Sequence, residues 1–269
     1  MPRSLDPTMT DAVALDLDGT LAGGDPRVSD RAIRALAALE ARGIRPVIVT
    51  GRTTRAALDP ARAAGLTTPV ISCNGTVVVA PDGECLLEAD LDKQVALDLL
   101  AAAEATGLSP TLWTANAIHV ARWDHVAELQ QAINGDEPVV GPLAPIAEGD
   151  GVVKGMLGGE PGDLDAAADL LRERLPAVVR SMPEFYETLN PDASKKSALA
   201  FVFDRLGIDP ARTIAIGDGD TDLPMFELAG EGVAMANARD TVRAAADTVI
   251  GHHADDGVAI FLEERFGLG

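Results

Sequence analysis

At both ends of this chain, apolar runs of strand length alternate with stretches of helical period, and that alternation restricts the fold more than any single motif does. Residues 13–17 form the first apolar run. Ser29 is placed to cap a helix whose apolar positions Ile33, Leu36, Ala37 and Leu39 recur at helical spacing, and Gly43 is placed to end it. Residues 46–49 form the next run, completing a strand–helix–strand unit of the kind that builds a parallel sheet covered by helices. A third run at 70–72 follows a helical stretch containing Pro60, whose ring and missing N–H are expected to break or restart that helix. The texture returns near the other end, with a helix over 197–206, a strand at 213–216, a helix from about Leu223 and a short strand near Val233. The expectation is an α/β fold, a doubly wound parallel sheet whose strands come from both ends of the chain.

Between these ends the pattern changes. Pro/Gly turns appear, and both tryptophans and the only tyrosine fall here. Helices are expected over 92–106, 125–133 and 162–175, with strands around Leu112, Ile118, Val152 and Val178. The predicted organisation is therefore a core made of residues 1–82 and 189–269, interrupted by an inserted α/β unit at 83–188.

Charge narrows the function classes. With 42 acidic against 22 basic side chains the formal net charge is −20. Such a field repels nucleic acid and anionic lipid, so neither is an expected partner. It also repels phosphorylated small molecules, so a phosphate site here has to be made locally cationic. Cys73 and Cys85 give no disulfide framework or metal-binding spacing and read as incidental thiols. The segment MPRSLDPTMTD has no apolar leader region, and no stretch nears the roughly 18 apolar residues of a membrane span, so the expected location is cytoplasmic. Nothing in the pattern marks an oligomer interface.

The chemistry-bearing residues sit where apolar strands end. Asp16-Leu17-Asp18-Gly19-Thr20 closes the first run, and alternate residues of an extended segment face the same way, so Asp16 and Asp18 form a pair of like charges. Such a pair is unfavourable without a cation or a shared proton. Gly217-Asp218-Gly219-Asp220-Thr221-Asp222 follows the strand at 213–216, and the carboxyl ends of parallel strands are where open sheets place their crevice. Oxygen ligands among small turn residues suit Mg²⁺, which takes one or two carboxylates and keeps water or phosphate oxygen. Thr50-Gly51-Arg52 after the second run offers a hydroxyl and a guanidinium, and Lys195 before a helix offers a point charge for phosphate.

In that order, DLDGT, VTGR, a lysine opening a helix and GDGDTD resemble the four motifs of the haloacid dehalogenase (HAD) superfamily. The large insertion, Asn74-Gly75 after the third strand and the GVAMANA stretch at 232–238 are similar to its Cof-type, subclass IIB phosphatases. The resemblance spans nearly the whole chain. It implies a HAD-like core with a cap of the C2B type, Mg²⁺ as cofactor, and hydrolysis of a small phosphorylated metabolite, such as a sugar phosphate, through an aspartyl phosphate. On the matching positions it makes Asp16 the nucleophile and Asp18 the general acid and base. It gives the metal to Asp16, the backbone carbonyl of Asp18, Asp218, and Asp222 directly or through water. Thr50, Gly51 and Lys195 would hold the phosphoryl group. Arg52, Asn74 and Asn237 are possible substrate contacts. Thr221 stands where the family usually carries Asn, Lys196 where it usually carries Gly, and His252-His253 where Asn is frequent.

Each of these residues also has a plainer reading. Thr50 alone could cap a helix, Arg52 could be a surface or ion-paired residue, and Asn74-Gly75 is first a turn signal. Trp113, His119, Arg122, Trp123, His125 and Lys154 in the insertion could read a substrate, though aromatic residues fill cores as readily as pockets. Two other functions remain open at this stage. One is a phosphomutase or phosphotransferase using the same nucleophile; the other is a catalytically silent binder of phosphorylated metabolites, against which the retained Asp18 counts.

Overall fold

A computed structural model describes residues 4–23, 26–175 and 178–268. The chain divides into two compact units, Met1–Leu86 with Ser194–Gly269, and Leu87–Ala193. Along the chain the elements run β1 Ala12–Leu15, α1 Asp30–Ala41, β2 Arg45–Ile48, α2 Thr54–Ala63, β3 Val70–Ser72, β4 Val77–Val79 and β5 Cys85–Glu88. The insertion contributes α3 Lys93–Thr106, β6 Ser109–Thr114, β7 Ala117–Val120, α4 His125–Asn134, β8 Val139–Val140 and α5 Ala144–Glu148. It continues with β9 Val152–Gly158, α6 Pro161–Arg174, β10 Val179–Met182 and β11 Phe185–Leu189. The chain then returns with α7 Lys195–Leu206, β12 Thr213–Gly217, α8 Leu223–Leu228, β13 Glu231–Met235, α9 Asp240–Ala245, β14 Thr248–Ile250 and α10 Gly257–Phe266.

The first unit is built on a five-stranded sheet in the order β14-β13-β12-β1-β2, with every neighbouring pair parallel. The α/β class with a parallel sheet is thus the observed one. β1 and β12 are buried throughout, as expected of strands covered on both faces. Register matters most for function: Leu15 pairs with Ile216 on one side and Ile48 on the other. The residues that follow these three strands therefore emerge along one edge of the sheet. Ser29 caps α1 by accepting from the Ala32 amide, and the helix buries Ala32, Ala35, Leu36 and Leu39.

One expectation is corrected. α2 runs continuously from Thr54 to Ala63 with Pro60 inside it. Proline removes a single i→i−4 bond and crowds one carbonyl, and here it lies within a turn of the helix end while Ala57, Leu58 and Ala61 hold a buried face around it.

The second unit is a six-stranded sheet, β10-β11-β9-β6-β7-β8, antiparallel except for the β7–β8 pair. α3, α5 and α6 contribute to one apolar core that includes Leu99, Leu112, Ala147, Leu157, Leu164, Leu171 and Tyr186. Gly155 lets β9 lie against Leu99, since a Cβ there would come within 2.7 Å of Leu99 Cδ1. β11 was not anticipated; it pairs with β9 from Lys154 to Gly158.

Candidate active site

β1 ends at Leu15, but the ladder continues for one more bond, from the Asp16 amide to the Ile216 carbonyl at 3.1 Å. The chain then turns tightly: the Ala22 amide donates to the Leu17 carbonyl at 2.7 Å and the Gly19 amide to the Ala22 carbonyl at 2.8 Å. Gly19 has φ of +80°, and a Cβ on it would overlap the Asp218 carboxylate. Glycine here serves both the left-handed backbone and the approach of a carboxylate from the far end of the sequence. Thr20, from the same motif, donates its hydroxyl to Asp218 Oδ1 at 3.0 Å.

After β12, the amides of Asp218 and Gly219 donate to Asp222 Oδ2 at 3.0 and 2.9 Å, so the second acidic loop folds around one of its own carboxylates. Asp220 points elsewhere, onto Arg239 and Thr241 at 2.6 and 2.8 Å, and Thr221 is exposed. Asp16, Asp218 and Asp222 each offer an oxygen within 4.8 Å of the others. Three buried or half-buried carboxylates so close form an acidic cluster able to hold a divalent cation.

Lys195 enters this cluster from the first position of α7. Its Nζ donates to Asp16 Oδ1 at 2.6 Å and to Asp222 Oδ1 at 2.7 Å, and the side chain is 3% exposed. A cation at a helix N-terminus opposes the macrodipole, so the carboxylates hold it there. Lys196 turns outward to Glu227 at 2.9 Å. Gly75 makes the insertion of Lys195 possible, because a Cβ on it would overlap the Ser194 carbonyl at the helix start.

The charges do not balance, and the proton affinities follow. Burial, then the charges of Asp222 and Asp18, push the Asp16 carboxyl well above the usual carboxylate range in spite of Lys195. Burial and the Asp222 charge raise Asp218 to about 6. Burial pulls on the Lys195 ammonium in the opposite sense, but Asp16 and Asp222 outweigh it and hold its pKa above the ordinary lysine value.

Asp18 is turned away from this cluster toward Arg52. Arg52 Nη2 lies 2.6 Å from Asp18 Oδ1, and Nε lies 3.1 and 3.0 Å from its two oxygens. The Arg52 side chain is 5% exposed and that of Asp18 46%. Arg52 also donates to the Pro26 carbonyl at 2.6 Å. Thr50 is fully buried; its hydroxyl accepts from the Arg52 amide at 3.2 Å. The Asn74 amide donates to the Thr50 carbonyl and the Cys73 amide to the Arg52 carbonyl, both at 2.9 Å. Cys73 and Asn74 adopt left-handed φ of 50° and 59° to do this, and Asn74 Oδ1 sits 2.8 Å from where a Cβ on Gly51 would be. Thr53, not Thr50, caps α2. Asn237 spans from the Gly19 carbonyl to the His253 amide. In the second unit Trp113 is buried, with Lys154 Nζ 3.4 Å from its ring centroid. Sequence alone assigns no role to Thr20, although it lies inside the DLDGT motif, or to His253, which stands out only as part of a departure from the family pattern.

The chain belongs to the family of haloacid dehalogenase-like hydrolases, which it matches over residues 13–262. It is similar to the phosphoglycolate phosphatase of Methanopyrus kandleri, at 30% identity over 95% of this chain and 97% of that protein. It is equally similar, at 30% identity over 95% and 97%, to the 5-amino-6-(5-phospho-D-ribitylamino)uracil phosphatase of Bacillus subtilis. A haloacid dehalogenase-like hydrolase from Bacteroides thetaiotaomicron superposes with a TM-score of 0.86 at 28% identity, covering 95% of this chain and 99% of that one. The protein is a HAD-type phosphoric monoester hydrolase. Among the described residues no helix is long and apolar enough to cross a membrane.

Proposed function

We propose that this enzyme hydrolyses a small phosphorylated metabolite, such as a sugar phosphate, through an aspartyl phosphate on Asp16, with Mg²⁺ as cofactor. The observation that carries the reading is the imbalance at the strand ends: three carboxylates, Asp16, Asp218 and Asp222, around one ammonium, that of Lys195. An all-oxygen donor set short of positive charge fits a hard divalent cation. Asp16, Asp218, Asp222 and the backbone carbonyl of Asp18 would hold it, and when bound it screens the dianionic ester from the carboxylate that must approach it.

Asp16 attacks phosphorus and forms the P–O bond of the aspartyl phosphate as the ester P–O bond breaks. Asp18 gives its proton to the departing oxygen. The resulting Asp18 carboxylate then takes a proton from water, whose oxygen attacks phosphorus; the bond to Asp16 breaks and inorganic phosphate leaves. Arg52 holds the Asp18 carboxyl in place through its ion pair with it. Lys195, Thr50 and the Gly51 amide stabilise the transferring phosphoryl oxygens. Residues 1–82 and 189–269 act as the catalytic core, and 83–188 as the cap that governs which ester is accepted.

Two relatives at the same identity are named for different substrates, so the leaving group is the property to screen. Phosphate release from a panel including phosphoglycolate, hexose phosphates and phosphorylated cofactors is expected with Mg²⁺ and abolished by EDTA. No release from any ester with Mg²⁺ present would overturn the proposal.

A further inference from the structure

We propose that Asn237 and His253 brace the turn that carries Asp18, which makes Asn237 a positioning residue and not a substrate ligand. The inference rests on the role given to Asp18 above. Asn237 Nδ2 donates to the Gly19 carbonyl at 2.7 Å, and Asn237 Oδ1 accepts from the His253 amide at 3.0 Å. A carbonyl can only accept and an amide N–H can only donate, so a flipped carboxamide would lose both bonds and its orientation is fixed. Both ends of the side chain are thus engaged by main chain, one of them in the residue next to Asp18.

The second contact of the brace is steric. The His253 ring occupies the space where a side chain on residue 23 would project, and a Cβ on Gly23 would overlap Nδ1 and Cε1 of that ring. Gly23 has no left-handed backbone to explain its glycine, so the close approach of His253 is the physical reason for it. His253 is held in turn: its ring lies 4.4 Å from that of His252, and the loop continues to Asp256, whose carboxylate accepts from the Ser29 hydroxyl. One loop therefore fixes the catalytic turn at Gly19 and Gly23 and also reaches the N-cap of α1. A turn closed by only a few internal bonds has little rigidity of its own, and misplacing a reacting group by about 1 Å can cost about a hundredfold in rate. The brace supplies the missing rigidity from outside the reacting groups.

The test uses the full-length enzyme with Mg²⁺ and p-nitrophenyl phosphate. Asn237→Ala is expected to lower kcat by about tenfold to a hundredfold while KM stays within about twofold. Amide exchange at Thr20 and Ala22, both bonded to the Leu17 carbonyl, should accelerate by about tenfold in the same variant. Gly23→Ala should lower kcat in the same way, and adding His253→Ala to it should bring kcat back to within about threefold of His253→Ala alone. A raised KM with unchanged kcat in Asn237→Ala would show a substrate ligand and overturn the brace. So would unchanged exchange, or a Gly23→Ala defect that His253→Ala does not relieve. If the parent enzyme released no phosphate but the exchange difference held, the brace would stand and the reading of Asp18 would fall. Should Asn237→Ala not fold, the Gly23 and His253 pair decides.

Discussion

The parallel sheet of the first unit contains two buried charge clusters, and they differ in one respect. At the start of β13, Glu231 is fully buried, yet both of its oxygens are served: Oε2 accepts from Arg265 at 2.6 Å and from the Leu5 amide at 2.8 Å, and Oε1 from Thr248 at 3.2 Å. One carboxylate meets one guanidinium. At the opposite ends of β1 and β12, Asp16, Asp218 and Asp222 share a single ammonium, and two of them are pushed toward protonation. A balanced cluster ties elements together, here an N-terminal segment, two strands and α10. An unbalanced one keeps an unmet demand for positive charge, which is what an enzyme handling anions needs.

The contrast can be broken most severely at Asp16. Asp16→Asn is expected to lower kcat at least about a thousandfold, as loss of a covalent nucleophile does, with the melting temperature of the metal-free protein unchanged or higher. A variant that still formed a phosphoenzyme would remove Asp16 from that role. Asp18→Ala should cost about a hundredfold or more in kcat, the range of general acid catalysis; near-parental turnover would reassign the proton transfers. At the balanced cluster the signature should invert. Glu231→Ala should destabilise by about 2 to 4 kcal/mol in urea unfolding, because it removes the carboxylate from a half-buried guanidinium and leaves a cavity, while kcat per folded molecule stays within about twofold.

The metal response sharpens the same difference. Asp218 has a native pKa of about 6 against an ordinary 3.8, so between these values the metal-free native state holds a proton that the unfolded chain has lost. That contribution to stability is present below about pH 4 and disappears as pH rises through about 6. On the proposed function Mg²⁺ replaces the proton, so the rise in melting temperature that it causes should grow from about pH 5 to about pH 7. A shift independent of pH would place the ion elsewhere. The smallest effect is expected from Asp218→Asn, which relieves repulsion with Asp222 and should raise the melting temperature of the metal-free protein by roughly 1 to 3 °C while removing most of the Mg²⁺ shift.

Much of this was legible in the sequence because the family's chemistry sits at strand ends. The runs at 13–17, 46–49 and 213–216 lie within a residue or two of β1, β2 and β12, and the acidic motifs close the first and follow the last, with Thr50-Gly51-Arg52 after the second. The capping signal of Ser29 also marks a real helix start, and the helix expected over 92–106 is present as α3. Propensity misled at Pro60, where tertiary packing of Ala57 and Ala61 outweighs one lost bond. β11 escaped notice because Phe-Tyr-Glu-Thr-Leu shows no clean alternation of apolar and polar residues; all of its first four positions are buried. Partnerships formed across long separations are silent in a single sequence. Nothing near Asn237 announces Gly19, and nothing near Arg52 announces that Asp18 would take its guanidinium.

The bond from Lys195 to Asp16 joins residues 179 positions apart, with the entire second unit between them in the sequence. On the ribosome the second unit is one continuous stretch and can fold as soon as it emerges, whereas β1 waits for β12 to be synthesised before it gains a neighbour on that side. The nascent chain therefore carries Asp16, the proposed nucleophile, without its lysine partner until residue 195 has been made. A product ending before residue 195 would contain Asp16 and Asp18 but lack Lys195, Asp218 and Asp222, and so the whole of the charge cluster that surrounds Asp16.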